Sequence, residues 1–283
     1  MVKFFLIGIL LLLVSTDTSG RTKKTRSRRD KYVLVFCDKF NQPDYSQPDT
    51  TKWVRPPRGP STWNRWHSDS KEVVYVKDGC LVCRAIPNND LQADTAKMLT
   101  GAVETLGKFA FQYGKVEVRM KTNFLQGNFP AAWMKYVDGR IDGAYRYGEI
   151  DIVEMAGNKN MSSHTVHTHQ SHILKKKDPT NFRQELSVTD WHIYGVEWTE
   201  DYIRWTVDGK TVGFHYKSND KQDIADGQWT FDREYYIRLN QSVGIGNYLR
   251  MTPLLDQIYE TRFDWIRVYQ RKSIVKKKKS KAH

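Results

Sequence analysis

The feature that most constrains the fold is a strict alternation of apolar and charged residues. Over 115–121, Val116, Val118 and Met120 alternate with charged side chains, and this period of two predicts a strand with one buried face. The dipeptide Asp208-Gly209, between two such runs, predicts a tight hairpin. Similar short runs recur along the chain, at 32–36, 73–76, 81–85, 164–169, 192–198, 203–207, 211–216, 235–239 and 263–269. No stretch sustains a helical period, so the pattern predicts an all-β sandwich or barrel.

The formal charge of +13 is concentrated at the two ends of the chain. Residues 1–31 hold eight basic and two acidic side chains, and residues 271–283 hold seven basic and none acidic. The body at 32–270 carries 30 charges of each sign. Because a nucleic-acid-binding body needs its own basic face, this neutrality argues against a nucleic-acid partner. We predict a basic linker at 21–31 and a basic, disordered tail at 271–283, either solvated or held to an anionic surface.

The first 20 residues have the pattern of a secretory signal peptide. Lys3 precedes an apolar run at 4–14, and small residues end at Gly20. The run is shorter than the roughly 20 residues that span a bilayer, and no later stretch is apolar enough, so we predict no transmembrane segment. The first cysteine is Cys37, too late for a lipoprotein anchor. We expect an exported chain that begins near Arg21 and is secreted, periplasmic or at the cell surface.

Three cysteines make an odd count for an exported chain. Cys80 and Cys83 form a C-x-x-C pair, a weak metal signal because a zinc site needs two further ligands nearby. Both lie in a predicted strand, which favours burial as small apolar side chains. A bridge from Cys37 to one of them stays open.

The segment that carries chemistry is 148–155, where three acids interrupt an apolar, β-branched run. In a regular strand Glu149 and Asp151 share one face and Glu154 points to the other. A β-bulge at 152–153 would turn Glu154 onto the face of the other two. The two glutamates would then lie about 13 Å apart between Cα atoms. Their side chains can close this to the ~5–6 Å between the carboxyl groups of a retaining glycosidase.

Asp151, between the two glutamates, is predicted to hydrogen-bond one of them and to separate their pKa values. The alternative is a row of solvent-facing acids on a half-exposed strand. Unpartnered acids beside such an apolar run would be costly, which favours the first interpretation.

The motif EIDIVE at 149–154 resembles the E-x-D-x-x-E signature of glycoside hydrolase family 16, in the bulged form of its laminarinase-like members. Further stretches resemble family landmarks in family order, at 100–101, 107–121, 128–134, 165–167, 194–209 and 263–270. The resemblance implies a β-jelly-roll of two curved antiparallel sheets over 32–270, with the glycan in the concave cleft. It implies that Glu149 is the nucleophile, Glu154 the general acid and then base, and Asp151 an assisting carboxylate.

The same resemblance implies several substrate contacts. His167 is expected beside the catalytic strand and within reach of its acids, although a histidine metal site with His164 and His169 is an alternative. Trp133 is expected on the cleft floor. In the loop at 63–66, the expected contacts are Asn64, Arg65 and Trp66, and we prefer Arg65 to Trp63. In the stretch 240–244, the expected contact is Gln241.

Two further features concern the substrate and a metal. The run at 57–66 looks closer to gut-bacterial members that cut β-galactoside links, and Phe129 stands where laminarinases have Trp. The family resemblance implies a structural Ca²⁺ at Asp264 and the Gly79 carbonyl, although Lys39 replaces the usual acid. No cofactor is expected for catalysis.

We therefore predict an exported, endo-acting, retaining β-glycosidase for β-1,3 or β-1,4 links of a neutral glycan, with laminarin-type β-glucan as the default substrate. A galactose-containing glycan such as poly-N-acetyllactosamine is the main alternative within the class. Transglycosylation and a non-catalytic carbohydrate-binding jelly roll are the others. We expect a monomer whose partner is an oligo- or polysaccharide.

Overall fold

The structure is a computed structural model that describes residues 31–244 and 252–281. The predicted signal peptide at 1–20 and the linker up to Asp30 lie outside the described residues. The strands are β1 Tyr32–Asp38, β2 Val74–Lys77, β3 Cys80–Pro87, β4 Met98–Glu104, β5 Gly114–Thr122, β6 Asn128–Tyr136, β7 Arg140–Ile141, β8 Ala144–Tyr145, β9 Gly148–Met155, β10 Met161–Thr168, β11 Thr180–Glu185, β12 His192–Trp198, β13 Tyr202–Val207, β14 Lys210–Tyr216, β15 Tyr235–Val243 and β16 Tyr259–Arg271. The helices are a π-helix at His169–Ile173, α1 Lys221–Ala225 and α2 Lys272–Lys281.

The strands form two layers joined through β3 and β4. One layer has the order β11-β10-β9-β6-β15-β4, and the other continues as β3-β16-β5-β12-β13-β14. β1 adds to β16, β2 adds to β3, and β7 pairs with β8 in a separate hairpin. Every strand pair is antiparallel. The predicted fold class, an all-β jelly-roll sandwich, is confirmed.

The alternation in the sequence sets the core between the layers. In β5 the burial alternates residue by residue, with Val116, Val118 and Met120 inside. Trp198 and Trp205, from β12 and β13, are almost completely buried there. The hairpin at Asp208-Gly209 is present, with φ values of 49° and 76°, as a type I′ turn requires.

Five strands were not predicted from the sequence: the two-residue strands β7 and β8, and the longer strands β4, β6 and β11. β6 is buried on both faces from Asn128 to Met134, so it shows no alternation to detect. β4 is similarly enclosed along most of its length. β11 is a largely exposed edge strand with few apolar residues.

The basic carboxyl-terminal segment differs from its prediction. The charge run predicted a disordered tail from 271, whereas the structure has the end of β16 and then helix α2 at Lys272–Lys281. Lysine is a good helix former. The start of the helix is tied to the body because the Lys272 amide donates to the Lys31 carbonyl at 2.9 Å, and Ile274 lines a small pocket with Tyr32 and Trp198.

The three cysteines are all free in the structure. Cys80 and Cys83 are buried in β3, as expected, and burial raises the pKa of the Cys83 thiol to about 12. Such a thiol stays protonated and unreactive at neutral pH. As for the membrane, no helix among the described residues is both long and apolar enough to cross one.

Candidate active site

Strand β9 contains the predicted β-bulge. On β6, Trp133 lies opposite Asp151 and Ala132 lies opposite Val153, so Ile152 is the extra residue. The register with β10 shifts at the same point. The bulge changes the side on which Glu154 emerges, and all three acids, Glu149, Asp151 and Glu154, line one cleft.

Core side chains from both layers hold the bulge in place. The indole Nε1 of Trp205 donates to the Asp151 carbonyl at 2.8 Å. The ring Nδ1 of His164 donates to the Ile152 carbonyl at 2.7 Å, and its Nε2 lies 2.9 Å from the Ser162 hydroxyl. Burial lowers the pKa of His164 to about 4, so the ring is neutral and donates once. These bonds satisfy carbonyls in a stretch where the ladder is irregular.

The cleft has a volume of about 570 Å³ and crosses the concave layer. Its floor comes from β6, β9, β10 and β15, and part of its wall is the loop at 60–64. On β6, Ala131, Trp133 and Lys135 lie on one face. They are in register with Glu154, Asp151 and Glu149, respectively.

Glu149 is surrounded by donors. Its Oε2 accepts hydrogen bonds from Lys135 Nζ at 3.0 Å and from the Tyr147 hydroxyl at 2.8 Å. Burial on its own would raise the pKa of Glu149, but the charge of Lys135 and the two hydrogen bonds outweigh it. The pKa therefore lies below its ordinary value, and Glu149 is ionised at neutral pH.

The pKa values of the other two acids, Asp151 and Glu154, are raised. Burial, and then the charge on Glu149, raises the pKa of Glu154 to about 7. Burial and the neighbouring charges of Glu154 and Glu149 raise the pKa of Asp151 well above its ordinary value. One ionised and two protonatable carboxyl groups therefore share the cleft, the separation that acid catalysis beside a charged carboxylate requires.

His167 lies at the centre of this group, as expected. Its Nε2 is 3.5 Å from Asp151 Oδ2 and 3.9 Å from Glu149 Oε1. Burial lowers the pKa of His167, so the ring is neutral at neutral pH. Within the described residues, Asp151 Oδ2 has no hydrogen-bond partner, so the predicted bond from this oxygen to a glutamate is not present.

The histidine metal alternative is wrong, because the three rings are separated. His164 is in the core, and His169 Nδ1 accepts from the Tyr147 amide at 3.2 Å. Within the described chain, the one group with metal-ligand spacing is Glu149, Asp151 and His167, whose ligand atoms lie within 4.8 Å of one another. Lys135 contributes a positive charge next to that group, and this disfavours a bound cation.

In the loop at 63–66, only some of the expected contacts lie at the cleft. Trp63 and Asn64 line the cleft. Arg65 is exposed and Trp66 packs on a satellite cluster that includes Met98. Our preference for Arg65 over Trp63 is reversed, because the loop coils: the amides of Asn64 and Arg65 both bond to the Ser61 carbonyl. Successive side chains around such a turn point in different directions.

Trp133 lines the cleft, as expected. Its Nε1 donates to Asn240 Oδ1 at 2.8 Å, and its ring meets Trp63 edge-on at 4.9 Å. Gln241 was expected at the substrate, but it is completely buried and donates to Asn128 Oδ1 at 2.7 Å. Because side chains alternate along β15, its neighbour Asn240 faces the cleft instead.

Four cleft residues with charged or aromatic side chains were missed from the sequence: Lys135, Tyr147, His172 and Arg238. Lys135 could have been found from its spacing: it follows Trp133 by two residues on the same strand, so the two side chains share the cleft face. His172 comes from the π-helix and stacks on Tyr147 with ring centroids 3.9 Å apart. Arg238 lies over the rings of Trp63 and Trp133 and pairs with Glu104.

The residues expected to bind Ca²⁺ do not fit the ion well. Asp264, on β16, forms an ion pair with Arg119, so a guanidinium already neutralises the proposed ligand. Gly79 lies in the turn between β2 and β3 with φ +68°. Calcium at this position stays a prediction, and no part of the chemistry below depends on it.

The fold and the cleft, with its three acids, are typical of an enzyme that binds its ligand along an open cleft. The sequence profile of the glycosyl hydrolases family 16 matches residues 66–235. The chain belongs to this family, and the predictions of the family and of a glycoside hydrolase are confirmed.

The relatives include both a β-galactosidase and β-glucan-cutting enzymes. The chain is 29% identical over 240 residues to the keratan-sulfate endo-1,4-beta-galactosidase of Sphingobacterium multivorum, covering 84% of this chain and 55% of that enzyme. It is 30% identical over 265 residues to the glucan endo-1,3-beta-glucosidase A1 of Niallia circulans, covering 84% of this chain and 38% of that enzyme. It is 29% identical over 249 residues to the beta-glucanase of Rhodothermus marinus, covering 83% of each. The chain thus spans about half or less of the first two.

Solved structures show the same division. The laminarinase of Rhodothermus marinus superposes with a TM-score of 0.73 at 25% identity, covering 86% of this chain and 99% of that chain. A structure from work on endo-acting O-glycanases, with which members of the human gut microbiota initiate mucin breakdown, superposes with a TM-score of 0.71 at 25% identity. It covers 83% of this chain and 98% of that one.

The raised pKa of Glu154 predicts a pH-dependent cost in stability. Its folded pKa of about 7 exceeds the ordinary 4.5, so the folded state binds more protons between these values and stability falls as pH rises through them. Glu154→Gln removes this cost. In urea unfolding, we expect the advantage of the variant over wild type to grow by roughly 2–3 kcal/mol between pH 5 and pH 8.

Glu185→Gln, at an exposed position on β11, is the control and should show little change in its difference from wild type. An advantage of Glu154→Gln that is the same at both pH values would contradict the raised pKa.

Proposed function

We propose that the protein is a secreted, endo-acting, retaining β-glycosidase that hydrolyses internal β-1,3 or β-1,4 links of a neutral polysaccharide. The observation that carries the proposal is the bulged strand β9. It brings Glu149 and Glu154 to one cleft while their surroundings shift the pKa values in opposite directions. Secretion rests on the signal-peptide pattern at 1–20.

In the proposed reaction, Glu149 attacks the anomeric carbon while Glu154 gives its proton to the glycosidic oxygen, which leaves with the rest of the chain. This forms a glycosyl ester on Glu149. Glu154, now ionised, takes a proton from water as the water oxygen attacks the same carbon and frees Glu149. Asp151, beside both glutamates and His167, assists by adjusting the charge of the site as the proton moves.

Laminarin-type β-glucan is our first choice of substrate. It is supported by the beta-glucanase of Rhodothermus marinus and the glucan endo-1,3-beta-glucosidase of Niallia circulans. The neutral body at 32–270 supports a neutral chain over a polyanion.

A β-galactoside is the second candidate. The keratan-sulfate endo-1,4-beta-galactosidase of Sphingobacterium multivorum and the O-glycanase structure favour it. The amino-acid sequence of the loop at 57–66 also favours a β-galactoside substrate. That loop contributes Trp63 and Asn64 to the cleft.

Removing the proposed nucleophile should abolish hydrolysis. We expect Glu149→Gln to lose at least about 10³-fold in kcat/KM, because an amide cannot form the ester. Glu154→Gln should lose about 10²–10⁴-fold, the usual contribution of a general acid. Product release from the cleaved glycan, measured as reducing ends, checks both. Glu185→Gln, the control on β11, should keep wild-type rates. Full hydrolysis by Glu149→Gln would rule out the catalytic assignment and favour a non-catalytic jelly roll.

Substrate class is decided by a panel of laminarin, mixed-linkage glucan, agarose, porphyran and mucin O-glycans. We expect laminarin to be cut fastest, with medium-length oligosaccharides before monosaccharides, because the cleft holds an internal stretch of chain. Chromatographic sizing of early products provides the measurement. Cleavage restricted to galactose-containing glycans would support the second candidate, and monosaccharides as the first products would contradict endo action.

A further inference from the structure

The two oxygens of the Glu149 carboxylate have different surroundings. Oε2 accepts from Lys135 Nζ at 3.0 Å and from the Tyr147 hydroxyl at 2.8 Å. Oε1 lies 3.9 Å from His167 Nε2, beyond hydrogen-bonding distance. Oε2 is thus occupied by two strong donors, and Oε1 keeps its lone pairs for a reacting atom.

Lys135 is held beside Glu149 by the sheet and by two aromatic rings. Lys135 and Glu149 are directly opposite each other on β6 and β9. The ammonium group lies 3.4 Å from the ring centroid of Tyr147 and 4.9 Å from that of Tyr136. Only 12% of the Lys135 side chain is exposed. A buried ammonium is costly unless it is paired, and here the carboxylate and the ring faces compensate for lost water.

We propose that Lys135 is a positioning residue for the nucleophile. Together with Tyr147 it fixes Oε2 of Glu149, which leaves Oε1 to attack, and its charge makes Glu149 a better leaving group when the covalent intermediate breaks down. This inference rests on the function proposed above and adds to it which oxygen reacts and which residue controls the second step.

The charge balance explains why the second step depends on Lys135. In the first step the Oε1–C1 bond forms, the C1–O bond to the leaving sugar breaks, and the proton of Glu154 goes to that oxygen. In the second step water attacks C1, the electron pair of the C1–Oε1 bond returns to Glu149, and Glu154 takes the water proton. Lys135 keeps its own proton throughout.

Glu149 is charged before the reaction, neutral as the ester, and charged again at the end. A fixed ammonium at Oε2 favours the charged states, so it restrains attack and promotes release. It also keeps Glu149 ionised at lower pH, because a nearby opposite charge lowers a carboxyl pKa. Loss of Lys135 should therefore change the balance between the two steps and shift the acidic limb of the pH profile.

The test compares Lys135→Met with Lys115→Met. Lys115 is a matched control on β5, in the other layer: it lies 3.4 Å from Glu197 Oε1 and 4.4 Å from the ring centroid of Tyr32. The substrate is the glycan from the panel that wild type cuts. We expect the acidic limb of kcat/KM for Lys135→Met to move up by about one pH unit or more. Lys115→Met should match wild type.

The second readout is the covalent intermediate, measured by rapid acid quench and intact-protein mass. We expect Lys135→Met to show a larger glycosylated fraction at steady state than wild type, since release is slowed. Lys135→Arg, which keeps the charge, should restore most of the acidic limb, and Tyr147→Phe should shift it less than Lys135→Met. These two variants also decide the matter if Lys135→Met does not fold.

Failure of this inference is distinct from failure of the proposed function. If wild type forms a glycosylated protein and Lys135→Met gives the same acidic limb and the same glycosylated fraction, the role of Lys135 is refuted and the function stands. If wild type hydrolyses no glycan and forms no glycosylated protein, the function itself fails.

Discussion

The site depends on one extra residue in strand β9 and on the bonds that hold it there. A regular strand would direct Glu154 away from Glu149 and Asp151, because side chains alternate between faces. The extra residue, Ile152, changes that phase. Bulges disrupt the ladder, and here Trp205 and His164 donate to the carbonyls at this point from within the core. The opposite layer of the sandwich thus contributes directly to the geometry of the acids.

Burial and two donors give the three acids different pKa shifts. Each lies in the same low-dielectric cleft, where burial raises every carboxyl pKa. Only Glu149 has a lysine and a tyrosine hydroxyl against it, and these reverse the effect of burial. The charge that remains on Glu149 then helps to keep Glu154 protonated. Lys135 therefore influences the whole group, although it contacts only one of its members.

Much of the fold was predictable because its strands alternate. The bulge was predictable because three acids on a buried strand need a common, polar face, and the motif EIDIVE offered one place for the extra residue. Trp133 and His167 were predictable as cleft residues from the resemblance. In contrast, β6 has no alternation over most of its length. The spacing from Trp133 could have placed Lys135 on the cleft face, but its position opposite Glu149 depends on the strand pairing, which the sequence does not show.

Other errors have equally local causes. Gln241 and Asn240 are neighbours on β15, and a shift of one residue exchanges cleft and core. The direction of Arg65 follows from a turn at Ser61 that the sequence did not indicate. The charge run at the carboxyl terminus was interpreted as disordered from its net charge. That interpretation left out the helix propensity of lysine and the hydrogen bond that joins the start of α2 to Lys31.

The proposed covalent bond between Glu149 and the sugar is tested most directly by the configuration of the first product. Proton NMR, recorded during the first minutes of cleavage of the glycan that wild type cuts, shows which anomer is released before mutarotation. Two inversions at the anomeric carbon give the β-anomer first, which is the result that this account predicts. The α-anomer as first product would show direct attack by water and would contradict the role assigned to Glu149.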